Sequence, residues 1–256
     1  MKKVKYLILF FIVFESIAQN TYSSKITYRA NYNLDSPYSN ITELIFNKSS
    51  SFFYVGDDII GEDDREIKVI TYENDFHEIL YTDLVNNLIF DKLELLDEVV
   101  LVKEEITKIP WQIDYESSET ILGYPCFKAE TLFRGRYYTA WFTEEIPVKF
   151  GPWKLNGLPG LILEVHDKYH EVEFNVEKIE NFKDAILIKD NFSDNKSDYT
   201  ILELHDYVNK IDEHIKYKVD LLISKLPRES KAVDVKTYKY KGVELDYEWE
   251  AKSNKD

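Results

Sequence analysis

Three features of the sequence predict a mainly β protein, a curved antiparallel sheet crossed by one long amphipathic helix. Short runs rich in Ile, Val, Tyr, Phe and Thr recur between turn residues, the signature of paired strands. Tyrosine, at 19 copies, and phenylalanine, at 15, suit a half-buried pleated surface. Only from Tyr199 to Leu226 does the apolar period lengthen to three and four residues.

The chain opens with a three-part export pattern: basic Lys2, Lys3 and Lys5, an apolar run from Tyr6 to Phe14, and the small-residue site Ser16-Ile17-Ala18. Cleavage is expected before Gln19. The apolar run is about half of the roughly 20 residues a spanning helix needs, so a retained membrane span is not expected. The residue at the proposed cut is not cysteine, which argues against a lipid anchor. Residues 19–256 then form a single β-rich domain, since that length suits one large β unit better than two.

Strands are expected at 25–34, 41–47, 51–56, 67–73, 77–82, 84–91, 111–115, 126–133, 137–143, 161–166 and 172–179. Turn chemistry separates them at 47–50, at Asn74-Asp75 and at Arg134-Gly135, which reads as a tight hairpin turn. The stretch 93–105 has apolar residues at 95, 96, 99, 100 and 102 and fits either a short helix or a strand. Around two glycines at 56–66 crowd Asp57, Asp58, Glu62, Asp63 and Asp64; a solvated loop fits, because the spacing of a calcium loop is missing.

The helix of about 199–226 carries Ile201, Leu204, Tyr207, Val208, Ile211, Ile215, Val219, Leu222 and Ile223 on one stripe. Ser197 or Asp198 caps its start in this reading, and Pro227 ends it. Acidic residues on its polar face disfavour a membrane-surface role, so the stripe is expected to pack on the sheet. A C-terminal hairpin is expected at about 234–249, turning at Lys241-Gly242.

Net charge is −15, and about −17 once the three lysines and single glutamate of the export segment are removed. Such a chain repels phosphate backbones, so no nucleic-acid partner is expected. Cys126 is the only cysteine, so no internal disulfide forms, and a lone free thiol reads as a small buried hydrophobe.

The most informative stretch is 121–166. It holds Gly123-Tyr124-Pro125-Cys126-Phe127-Lys128-Ala129, then Ala140-Trp141-Phe142-Thr143, then Gly151-Pro152, then Gly157-Leu158-Pro159-Gly160-Leu161-Ile162. Pro159-Gly160 suits the centre of a type II turn, with glycine at positive φ, and the apolar residues around it would fold onto the core. Residues 144–160 form a long ordered loop, read either as a folding corner or as a functional loop.

This order of elements resembles the GLPGLI family, exported proteins of double-membrane bacteria, with the name-giving hexapeptide intact at 157–162. The resemblance implies no established activity or cofactor. It implies envelope work, periplasmic or associated with the outer membrane, since such proteins are often encoded beside TonB-driven receptors. At fold level the chain is also similar to LolA-like lipoprotein carriers, which implies an open half-barrel.

His77-Glu78 begins a zinc-protease motif, but position 81 is Tyr81. No nucleophile elbow, phosphate loop or dinucleotide fingerprint occurs. His166 and His170, four apart around a hairpin tip, are weak metal candidates without a third ligand nearby in sequence. The leading expectation is a non-enzymatic envelope protein, without cofactor, that binds an envelope protein or an apolar small molecule. Trp141, Trp153, Leu158, Pro159, Gly160 and Leu161 are its candidate contacts. The rival readings are a hydrolase assembled from distant residues, including His166 and His170, and a structural scaffold.

Overall fold

The computed structural model describes residues 21–55, 59–62, 68–71, 79–189, 199–225 and 242–250. The export segment 1–18, most of the acidic run 56–66, the Asn74-Asp75 turn, Ser197, Asp198, Pro227 and the first arm of the C-terminal hairpin lie outside the described residues.

Strands β1 (Thr21–Tyr32), β2 (Tyr38–Phe46), β3 (Ser50–Val55), β4 (Ile59–Glu62), β5 (Lys68–Thr71), β6 (Ile79–Asp83) and β7 (Leu88–Leu95) form the first half. They are followed by β8 (Glu98–Glu105), β9 (Gln112–Ile121), β10 (Tyr124–Phe133), β11 (Arg136–Thr143), β12 (Leu161–Asp167), β13 (Val172–Lys189) and β14 (Thr200–Glu203). Helix α1 (Leu204–Ser224) closes the series. The strands join in one open sheet, ordered β14-β8-β7-β6-β3-β2-β1-β13-β12-β11-β10-β9, with β5 pairing β13 and β4 pairing β5. Pairing is antiparallel except for β14 on β8 and β5 on β13.

The sheet must curl. Strands β8 and β10 stand nine strand spacings apart in that order, about 43 Å if the sheet were flat at roughly 4.8 Å per step. Yet the Arg134 guanidinium, just past β10, lies 2.6 Å from the Glu104 carboxylate on β8. The two flanks therefore face each other across a concave interior, and the sheet is an open half-barrel.

That interior is the main core. Ile26, Tyr28 and Ala30 alternate on one face of β1 and are fully buried, while Arg29 between them is exposed. Phe46, Phe53, Tyr138, Phe142 and Phe174 join them, as the aromatic content foretold. The 144–160 loop fills the middle with Phe150, Leu155 and Leu158, all buried. A second cluster of Ile45, Phe52, Tyr54, Ile79, Tyr81 and Leu101 covers the opposite face of β2, β3 and β6, so those strands are apolar on both sides.

Several expectations need correction. The ambiguous stretch 93–105 is strand: it completes β7 and forms β8, joined by a turn with Leu96 at φ 63°. The helix starts at Leu204, five residues late, because Thr200–Glu203 pair in parallel with β8 before the chain coils. Its N-cap is Glu203, without a side-chain cap bond. The stripe packs on the sheet only at the first turns, through buried Leu204 and half-buried Tyr207 and Val208. Further along, Tyr217, Leu222 and Ile223 are exposed. Residues 243–249 form no strand; they lie as an irregular strap across the concave face.

The Pro159-Gly160 turn also differs. Gly160 does not take positive φ; among these glycines that belongs to Gly157, at 96°. A Cβ on Gly160 would sit 2.0 Å from the Thr143 carbonyl oxygen, so this glycine exists for close approach of two backbone segments. The Arg134-Gly135 hairpin turn is as expected, with both residues at positive φ, 47° and 82°, as a type I′ turn requires.

Candidate functional site

Beneath the strap, three buried cations rise from elements that the curl brings together. Arg134 occupies the β10–β11 turn, Arg136 begins β11 and Lys154 sits in the 144–160 loop; their side chains are 3 %, 1 % and 2 % exposed. Lys154 Nζ lies 2.6 Å from Glu104 Oε1, 3.3 Å from Glu244 Oε1 and 3.8 Å from Asp91 Oδ2. Arg134 donates to Glu104 Oε2 at 2.6 Å, to Glu248 Oε1 at 3.0 Å and to Glu244. Arg136 donates to Asp167 at 2.9 Å, to Glu171 at 2.7 Å, and to the carbonyls of Val243 and Gly242, both at 2.9 Å.

Charges this deep survive only when paired, and each is. Burial alone would push the Glu104 carboxyl up, but the Lys154 ammonium and the Arg134 guanidinium outweigh it and hold the group below the ordinary carboxylate value. Burial likewise opposes the charge on Lys154, and Glu244, Glu104 and Asp91 more than restore it, raising its pKa. The network clamps the strap to the sheet. Gly135 helps, since a Cβ there would meet Leu245 Cβ at 2.7 Å; the Leu245 amide instead donates to the Arg134 carbonyl at 2.9 Å. At the far end the Tyr247 and Trp249 rings stack 4.6 Å apart, and Trp249 meets His205 of α1 edge-on at 5.0 Å.

Between strap, helix and sheet lies a cavity of about 490 Å³. One wall is the apolar stripe of α1, with Tyr207, Val208, Ile211 and Ile215; the opposite wall is the strap, with Val243, Leu245 and Tyr247. Leu93, Asp91 and Trp153 close the floor, and Asp212 and Glu244 add carboxylates. The Trp153 backbone takes φ 54°, and its ring packs 6.1 Å from that of Phe133. The chemistry on offer is shape and apolar contact with a few carboxylates.

Of the six candidate contacts, Trp153 lines this cavity. Leu158 and Leu161 are buried in the core, Gly160 is buried against Thr143, Pro159 is exposed, and Trp141 is half-buried on β11. The structure does not bring these six together. His166 and His170 do meet, with rings stacked 4.2 Å apart; His166 Nδ1 contacts the Asp167 carbonyl and His170 Nδ1 pairs with Glu173. Among the described residues no group of three or more His, Cys, Asp or Glu is placed to hold a metal ion. The apolar stripe of α1 is legible in the sequence, but not as the wall of a cavity, and the meeting of the three buried cations is not legible there. An arginine at a position where a type I′ turn favours Asn, Asp or Gly was the available signal.

A family model described as a protein of unknown function, Porph_ging, of the GLPGLI type, matches residues 132–164. That span contains Arg134, Arg136 and Lys154 as well as the hexapeptide. No curated protein matches the chain. Among solved structures, PNGF-II in a P21 crystal is similar at a TM-score of 0.52 and 19 % identity, over 74 % of this chain and 33 % of that one. PNGF-II in a C2 crystal gives 0.50 and 18 %, over 74 % and 32 %. The chain thus spans about a third of the protein it matches, and the likeness is one of fold. A LolA superfamily protein, NE2245 from Nitrosomonas europaea, matches at a TM-score of 0.26 and 7 % identity over 65 % of this chain and 88 % of that one.

Proposed function

We propose that this is an exported, non-enzymatic envelope protein that holds an apolar ligand, or an apolar segment of an envelope protein, between α1 and the strap. The cavity carries this reading. Its volume of about 490 Å³ falls within the roughly 300–1,000 Å³ typical of small-molecule sites. Its lining is mostly aliphatic and aromatic with a few polar groups, the composition that binds by exclusion of water. The clamp supports it too, because a wall pinned by buried ion pairs is pre-organised and loses little order on binding. Periplasmic or outer-membrane work, alongside a TonB-driven receptor, follows from the resemblance to GLPGLI proteins and is part of the proposal.

The test is isolation of the chain from its native envelope, followed by mass analysis of retained small molecules and proteins. An apolar compound retained by the natural chain and lost from Ile211→Trp, whose larger ring would occupy the cavity, supports the reading. An empty natural chain that also fails to take up any alkyl probe overturns it.

A further inference from the structure

We infer that Trp153 sets the length of apolar ligand that the cavity accepts, its ring standing across the deep end; this rests on the cavity reading above. The ring lines the floor of the cavity, while two groups packed on it do not reach the cavity at all. The Phe133 ring lies 6.1 Å from it, and Lys154 Nζ lies 5.7 Å from its centroid. Both of those residues are buried. The Trp153 ring is therefore the partition between the cavity and the packed interior that holds the ion cluster.

The backbone marks the same residue. Trp153 takes φ 54°, a left-handed conformation that glycine adopts freely and a bulky side chain adopts only at a cost. Strain of this kind persists where the surrounding structure enforces it, and it gathers at ligand sites. Here it accompanies an indole ring at the floor, so a ligand chain long enough to reach the ring meets a flat wall with a close-packed interior behind it. Such interiors yield little, and methylenes added beyond that length stay in water. Below that length each methylene that leaves water strengthens binding about fourfold. Affinity thus climbs with chain length and then stops.

A ladder of uncharged probes tests this: straight-chain alkyl maltosides from hexyl to tetradecyl, in steps of one carbon, titrated calorimetrically below their aggregation limits into the full mature chain. For the natural chain affinity should rise about fourfold per methylene and level off before the series ends. Trp153→Ala and Trp153→Gly should move that break to longer chains by about three methylenes or more, or out of the series, because the ring covers an area equal to several CH2 groups. The glycine variant meets the positive φ without strain and should melt above the alanine variant, the reverse of their ordinary order. Trp153→Leu, smaller than Trp and still apolar, carries the same test should either variant lose its melting transition. A break that stays at the same length in the variants, a uniform loss of affinity at every length, or no break in the natural chain overturns the inference and leaves the cavity reading standing. Binding by no member of the series overturns both.

Discussion

Lys154→Met removes the ammonium at the centre of the clamp while keeping most of the side chain's volume. The lysine is 2 % exposed, and its Nζ lies within 4 Å of carboxylates on β7, β8 and the strap. Its loss leaves Glu104 and Glu244 to share Arg134, an excess of buried negative charge. Breaking a buried pair by deleting one partner costs roughly 3–5 kcal/mol. For a chain of this size each kcal/mol lowers Tm by about 2–4 °C, so the expected fall is about 6–20 °C. Urea unfolding at pH 7, read by tryptophan fluorescence, measures it. The pH dependence adds a signature. In the natural chain the Glu104 carboxyl is depressed, so its stabilising contribution is present above the ordinary carboxylate pKa, roughly 4.3, and is lost as pH falls through the lower folded value. Without Lys154, protonation relieves the buried charge instead, so the gap between variant and natural chain should narrow toward pH 4. A loss below about 1 kcal/mol that does not vary with pH would show that these groups behave as solvated surface charges and would refute the reasoning.

The remaining predictions concern the core. Gly160→Ala should destabilise by roughly 3 kcal/mol, because its Cβ meets the Thr143 carbonyl at 2.0 Å, whereas Gly123→Ala, at φ 87° with nothing within 4 Å, should cost only about 1–2 kcal/mol; equal losses in urea unfolding would contradict the steric account. Tyr28→Phe removes a buried hydroxyl that donates to the Ile162 carbonyl at 2.7 Å, and the loss of that bond should cost roughly 0.5–1.5 kcal/mol; a neutral result would show that the bond holds nothing together. Burial, with lesser help from Glu119, Glu164 and Glu145, pushes the Cys126 thiol up to about 11, so iodoacetamide at pH 8 should label it only as fast as the chain unfolds. Labelling at the rate of a free thiol would place Cys126 at the surface.

What could be read from the chain was whatever declares itself locally. The alternation in Arg136–Thr143 marks a strand because every second side chain must go inside, and Arg134-Gly135 marks a hairpin because the flanking strands leave room for little else. The stretch 93–105 was ambiguous because its turn uses Leu96 at positive φ, without the glycine that would have announced it. Residues 200–203 read as helix because Ile201 fits the helical stripe as well as it fits a strand; pairing with β8, a hundred residues earlier in the chain, decided the matter. The clamp was hidden for the same reason. Arg134, Arg136 and Lys154 look like solvated charges in sequence, and only the curl carries Glu104, Asp91 and the strap to them. The cavity was half legible: the apolar stripe of α1 was visible, but the sequence did not show that its middle faces a space instead of the sheet.

The curl can be measured directly. Spin labels on cysteines placed at the exposed positions Glu105 on β8 and Leu132 on β10, in a chain whose Cys126 is replaced by alanine, report the separation of the two flanks. A curled half-barrel predicts a distance distribution centred below about 25 Å, while a flat sheet of the same strand order would give about 40 Å or more and contradict the account.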